Sequence, residues 1–183
     1  MTAPPRRFAD PATVRLLVLD VDGVLTDGSI MLDDTGRELK RFHARDGVGL
    51  RVWGRLGFST AIITGRVGGA VRHRMAELGI TELIMGARDK EAPLRDLALR
   101  TGVPPAEMAF VGDDWPDLAP MSLVGYPIAV ADATAAVRQA AALVTAAPGG
   151  RGAVREAVEH LLVAKGLLGT AIGVYWSGAG PVG

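Results

Sequence analysis

Short, continuous apolar runs recur along the chain, each followed by turn chemistry or by a stretch of helical period. The first, Leu16-Leu-Val-Leu-Asp-Val21, is apolar at nearly every position, the pattern of a strand covered on both faces. Runs of the same kind return at 59–63, 82–85, 108–111, 127–130 and 142–145. Helical patterns fall between or after them at 47–56, 68–78, 90–100, 116–123, 134–141 and 152–165, with Gly79 and Gly102 placed as left-handed caps. In the last helix Val154, Ala157, Val158, Leu161 and Leu162 repeat at three-four spacing and define one buried face. This alternation predicts an α/β fold with a doubly wound, Rossmann-like parallel sheet.

One segment breaks the alternation. Ser29-Ile-Met-Leu32 and Glu38-Leu-Lys-Arg-Phe42 flank the turn residues Asp33-Asp-Thr-Gly36, which predicts a β-hairpin inserted after the first strand, at about 28–43. Such a hairpin would stand over the carboxyl edge of the sheet, where open α/β folds bind ligands. The organisation expected is an extension at 1–13, a single domain at 14–165 and a Gly-rich tail at 166–183, read as more disordered than ordered.

At 183 residues there is room for one substantial core. The 20 Lys and Arg residues balance the 20 Asp and Glu residues, so long-range charge offers nothing to a nucleic acid or a membrane surface. The absence of cysteine excludes disulfides, thiolate metal sites and cysteine nucleophiles. No apolar run is long enough for a signal peptide or a membrane span, so a soluble cytoplasmic protein is expected.

The chemistry concentrates where the strands end. Asp20 and Asp22 follow the first strand, Thr64 the second, Lys90 comes just beyond the third, and Asp113-Asp114 follow the fourth. Carboxyl ends of parallel strands face one crevice, so these residues converge. A pair of carboxylates one residue apart can divide labour, the first binding a cation and attacking as nucleophile, the second exchanging a proton with the leaving group. The alternative for such a pair is a solvated acidic turn, but Asp20 ends a strongly apolar strand where an idle carboxylate is costly to half-bury. Two acidic clusters provide the oxygen ligands that Mg2+ prefers. Thr64-Gly65-Arg66 offers a hydroxyl and backbone N–H groups to a phosphoryl oxygen, or an ordinary N-cap. Lys90 can neutralise charge on a transferred phosphoryl group. Asp117 either engages that lysine and fixes the loop, or is a first-turn carboxylate favoured by the helix dipole.

Asp20-Val-Asp22-Gly-Val-Leu-Thr, Ile63-Thr64-Gly65-Arg66, Lys90 and Gly112-Asp113-Asp114-x-x-Asp117 resemble, in order and spacing, the four motifs of the haloacid dehalogenase superfamily of phosphatases. Over roughly 14–163 the resemblance sharpens. Glu38-Leu-Lys-Arg-Phe-His-Ala-Arg-Asp-Gly47, Gly49-Leu-Arg51, Val130-Ala-Asp-Ala133 and Gly149-Gly-Arg-Gly-Ala-Val-Arg-Glu156 resemble the 3-deoxy-D-manno-octulosonate 8-phosphate (KDO 8-phosphate) phosphatase subfamily. The resemblance implies a capless enzyme that hydrolyses a sugar-acid phosphate through an aspartyl-phosphate, with Asp20 and Asp22 catalytic. It implies Mg2+ held by Asp20, the backbone carbonyl of Asp22 and Asp113, with Asp114 and Asp117 in support. Thr64, Gly65 and Lys90 would bind phosphate. The sugar acid would meet Asp22, His43, Ala44, Arg45, Asp46, Gly47, Arg51, Arg66, Arg74 and Lys90, arginines being suited to a bidentate grip on a carboxylate. A homotetramer built on the hairpin is implied as well. His43 stands where Asn is usual in the subfamily, and the tail around Val174-Tyr-Trp176 departs from its pattern, which leaves phosphates of nine-carbon sugar acids as an alternative substrate.

Two other readings fit parts of the pattern. A signalling receiver domain uses similar groups, but places its phosphorylated Asp after the third strand rather than the first. A non-catalytic accessory domain lacks support, since every catalytic group is present. Phosphoserine and nucleotide phosphatases of the same superfamily normally carry a cap domain, for which no insertion here is large enough.

Overall fold

The structure, a computed structural model, describes residues 8–176. Six strands, β1 (Leu16–Leu19), β4 (Ser59–Thr64), β5 (Glu82–Met85), β6 (Met108–Gly112), β7 (Tyr126–Ala129) and β8 (Leu143–Val144), form one parallel sheet in the order β5-β4-β1-β6-β7-β8. β1 lies at its centre, fully buried, with Leu16–Leu19 in register with Ser59 to Ile62 on one side and Met108 to Val111 on the other. Both faces of this strand are covered by helices, which is why its sequence carries no alternation. The chain turns from one half of the sheet to the other between β1 and β6, so the carboxyl ends of these two neighbours open a crevice at a topological switch point.

Helices α1 (Ala44–Arg55), α2 (Gly69–Leu78) and α6 (Ala153–Ala164) pack together on one face, while α3 (Glu91–Thr101), α4 (Leu118–Leu123) and α5 (Ala135–Ala140) pack together on the other. α6 buries Val154, Ala157, Val158, Leu161 and Leu162 together with Ala153, the face its spacing predicts. Gly79 and Gly102 close α2 and α3 with φ of 74° and 67°. The predicted hairpin is present but short: β2 (Met31–Leu32) and β3 (Glu38–Leu39) pair with each other and with no strand of the main sheet.

Three expectations need correction. The helix predicted from 47 begins earlier, so 44–46, which the pattern left outside it, form the first turn of α1. There the buried Asp46 accepts the backbone N–H of Arg155 at 2.8 Å and so satisfies an otherwise unpaired donor in the first turn of α6. Thr64 does not cap a helix, because α2 begins only at Gly69 behind Gly68. The tail expectation covers 166–183, of which 177–183 lie outside the described residues; within the rest, α7 (Leu168–Gly173) packs on α6 with Ala171 buried. Its apolar side gains a covered groove, which outweighs the poor helix propensity of its glycines. At the other end, Asp10 caps a turn of 3-10 helix at Pro11–Thr13 that packs on α6.

Candidate active site

Asp20 leaves β1 with its backbone N–H still donating to Val111 of β6 at 3.2 Å, so the sheet itself fixes its position. The residue as a whole is only 7% exposed. Oδ2 lies 2.9 Å from Lys90 Nζ, whereas Oδ1 is buried with no partner among the described residues. Burial pushes the Asp20 carboxyl up to about 6, even against the nearby Lys90. Lys90 stands at the start of α3, and its Nζ also reaches Asp117 Oδ1 at 2.7 Å. Burial alone would lower the lysine, but the two carboxylates reverse the sign and hold it above its ordinary value.

Asp117 uses both of its oxygens. Oδ1 meets Lys90, and Oδ2 accepts the backbone N–H groups of Asp113 at 2.9 Å and Asp114 at 3.3 Å. It engages the lysine and pins the loop after β6 at the same time, forming a capping box with Asp114. The room for this comes from Gly112, where a Cβ would sit 2.5 Å from Asp117 Cβ.

Asp113 faces Asp20 across the switch point. Its carboxyl is pushed up to about 8 by burial first, then by the carboxylates of Asp117, Asp20 and Asp114. Oxygens of Asp20, Asp113 and Asp117 lie within 4.8 Å of one another. A protein carrying three carboxylates this close and one compensating lysine has electrostatic need of a second cation. The donors are hard oxygens, as Mg2+ requires, and the unpartnered Oδ1 of Asp20 supplies an open ligand position. Asp117 is already committed to Lys90 and the loop amides, so Asp20 and Asp113 are the side chains that fit as ligands. The approach is preserved by Gly23, whose φ of 83° suits glycine and where a Cβ would fall 2.0 Å from Asp113 Oδ2.

Around this centre runs an open cleft of about 450 Å3, lined by Asp20, Asp22, Thr64, Gly65, Arg66 and Lys90 from the predicted set and by Asp113, Asp114 and Asp117. Thr64 ends β4 almost fully buried and its Oγ1 accepts the Arg66 N–H at 3.4 Å. The other predicted substrate contacts are not brought here. Arg51 is on the outer face of α1, paired with Glu77 at 3.2 Å. Arg74 lies between α1 and α2, its Nη1 2.8 Å from Glu77, beside a small hollow lined by His43, Asp46 and Gly47. Ala44 and Arg45 are exposed on the first turn of α1.

Sequence reasoning missed Lys40 and Glu38 of the hairpin and Arg88 at the cleft wall. Lys40 Nζ donates to Asp22 Oδ1 and, at 3.1 Å, to Glu38. Glu38 in turn accepts from Arg66 Nε at 3.0 Å. A charged pair with a two-residue spacing on a predicted strand, Glu38 and Lys40, was the available signal, since it puts both on one side of the hairpin.

Comparison with known proteins agrees with this geometry. Residues 75–156 match the haloacid dehalogenase-like hydrolase family. The 3-deoxy-D-manno-octulosonate 8-phosphate phosphatase of Escherichia coli (strain K12) is 46% identical over 166 residues, which is 91% of this chain and 88% of that protein. The crystal structure of the Yersinia pestis 3-deoxy-D-manno-octulosonate 8-phosphate phosphatase superposes with a TM-score of 0.85 at 42% identity, covering 87% of this chain and 86% of that one. The Moraxella catarrhalis phosphatase of the same name, in complex with magnesium ion, phosphate ion and KDO, gives a TM-score of 0.88 at 36% identity over 91% and 95% of the two chains. Strand-end carboxylates, a buried lysine and close likeness along nearly the whole chain lead to one assignment: the chain belongs to the haloacid dehalogenase superfamily and, within it, to the 3-deoxy-D-manno-octulosonate 8-phosphate phosphatase family.

Proposed function

We propose that this chain is a Mg2+-dependent phosphatase that hydrolyses KDO 8-phosphate to KDO and phosphate through an aspartyl-phosphate on Asp20. The observation that carries the reading is the division of Asp20: Oδ2 is held by Lys90 while Oδ1 is buried without a partner. A carboxylate already held at one oxygen is oriented before substrate arrives, so its attack needs little reorganisation.

Asp20 attacks phosphorus in line, and Asp22 gives a proton to the departing sugar oxygen. Asp22 then takes a proton from the water that hydrolyses the aspartyl-phosphate, returning both residues to their starting forms. Lys90, Thr64 and the backbone at Gly65 hold the phosphoryl oxygens, so that positioning and charge do most of the work. Mg2+ would be held by Asp20, the carbonyl of Asp22 and Asp113, with Asp114 and Asp117 supporting the loop; it would neutralise charge on the phosphoryl group and relieve the repulsion among the carboxylates.

Arg66 is assigned to the substrate carboxylate. Arg51, Arg74 and the 43–47 segment lie outside the crevice of their own chain, and they would serve a crevice only across a subunit boundary. The exposed Ile30, Met31, Leu32 and Leu39 of the hairpin support assembly into a homotetramer, because such a cluster is costly to leave in water. None of the described helices is long and apolar enough to cross a membrane, and we place the protein in the cytoplasm with a small sugar-acid phosphate as its partner. In this reading 14–165 is the phosphatase domain, flanked by the 1–13 extension and the 166–183 tail. Asp20→Asn tests the mechanism: it should abolish phosphate release with the melting curve retained, and wild-type-like turnover would contradict it.

A further inference from the structure

The side chain of Lys40 is only 2% exposed although it lies on a small surface hairpin. Lysine is buried this deeply only when paired, and both of its partners are functionally placed. It donates to Asp22 Oδ1 and to Glu38 Oε1, and Glu38 holds Arg66. An ion chain Asp22–Lys40–Glu38–Arg66 thus joins the nucleophile's neighbour on the β1 loop to the arginine at the cleft mouth, through a hairpin that shares no strand pairing with the main sheet. Among the described residues, no other donor to the Asp22 carboxylate accompanies Lys40, so its orientation rests on that one contact.

We propose that Lys40 is a positioning residue for the phosphatase reaction: it holds Asp22 Oδ1 as an acceptor, leaving Oδ2 as the oxygen that delivers the proton to the leaving group. Glu38 fixes Lys40 and aims Arg66 from the same hairpin, so one element sets both the proton donor and the grip on the substrate. This inference rests on the reading of Asp22 as the acid. In the step concerned, a bond forms from Asp20 to phosphorus while the bond from phosphorus to the sugar oxygen breaks. The electron pair of the broken bond takes up the proton from Asp22 Oδ2, giving a neutral alcohol and an Asp22 carboxylate. Without Lys40 the carboxyl rotates among its rotamers and meets the departing oxygen less often. An alkoxide needs that proton, whereas nitrophenolate leaves without it.

The experiment compares kcat/KM for KDO 8-phosphate and for p-nitrophenyl phosphate at saturating Mg2+, in wild type, Lys40→Met, Lys40→Arg and Asp22→Asn. Because kcat/KM reports the steps up to release of the first product, the shared hydrolysis of the aspartyl-phosphate drops out. Lys40→Met should lose about 10- to 100-fold with the sugar phosphate and less than about threefold with the aryl phosphate, a fraction of what general acid catalysis contributes, and Lys40→Arg should recover part of the loss. Equal losses on both substrates, complete inactivation included, or no loss on either would overturn the assignment of Lys40. If Asp22→Asn itself shows no dependence on the leaving group, the reading of Asp22 fails and the inference falls with it.

Discussion

Lys90 Nζ lies 2.9 Å from Asp20 Oδ2, with side-chain exposures of 4% and 10%. A buried pair of this kind is stable only while complete, and here the lysine also serves Asp117. Lys90→Met should therefore cost about 3–5 kcal/mol of stability, the usual consequence of stranding a buried charge. It should also remove most phosphate release, which a thermal melt and a turnover assay measure together.

Asp117→Asn keeps the shape of the loop but has one oxygen where the carboxylate has two. The amide cannot serve both Lys90 and the Asp113 and Asp114 N–H groups as Asp117 does. Loss of a buried, charge-assisted bond costs about 1–3 kcal/mol, so kcat should fall by about 10- to 100-fold. An unchanged kcat would show that the lysine needs only Asp20.

Asp113 and Asp20 are pushed up from 3.8 to about 8 and about 6. The folded, metal-free chain therefore holds protons that the unfolded chain releases near the ordinary carboxylate range. In the window from about pH 4 to 8 the native state binds more protons, so stability falls as pH rises. In EDTA the melting temperature should decline from pH 5 to pH 8 more steeply in wild type than in Asp113→Asn. Mg2+ should raise it more at pH 8, where fewer protons must be displaced. A Mg2+ effect that is larger at pH 5 would contradict the ligand role of Asp113.

Gly23→Ala places a methyl 2.0 Å from Asp113 Oδ2 at a φ of 83°. Asp113 must move or the backbone must strain, at a cost of about 1–3 kcal/mol. The Mg2+ concentration needed for half-maximal activity should rise, as a metal titration of the variant would record.

The sheet and the strand-end groups were legible because β1 and β6 are apolar throughout and their carboxylates stand out against that background. Asp20, Thr64, Lys90 and Asp113 needed only the rule that parallel strands end on one side. What was illegible depends on partners distant in sequence. Asp46 fell just ahead of the predicted helix, and its work, accepting from Arg155, lies across the domain. Lys40 was given no role because its burial comes from how the hairpin folds down, which no local pattern encodes. Arg51 and Arg74 carry the right chemistry, but helix phase and the pull of Glu77 place them outside the crevice of their own chain.

Phosphate release from KDO 8-phosphate, a nine-carbon sugar acid phosphate and simple sugar phosphates, each with Mg2+ and with EDTA, decides both substrate and metal. KDO 8-phosphate should be strongly preferred, and its turnover should disappear when the metal is removed. Equal or faster release from another of these substrates, or release that persists in EDTA, would contradict this reading.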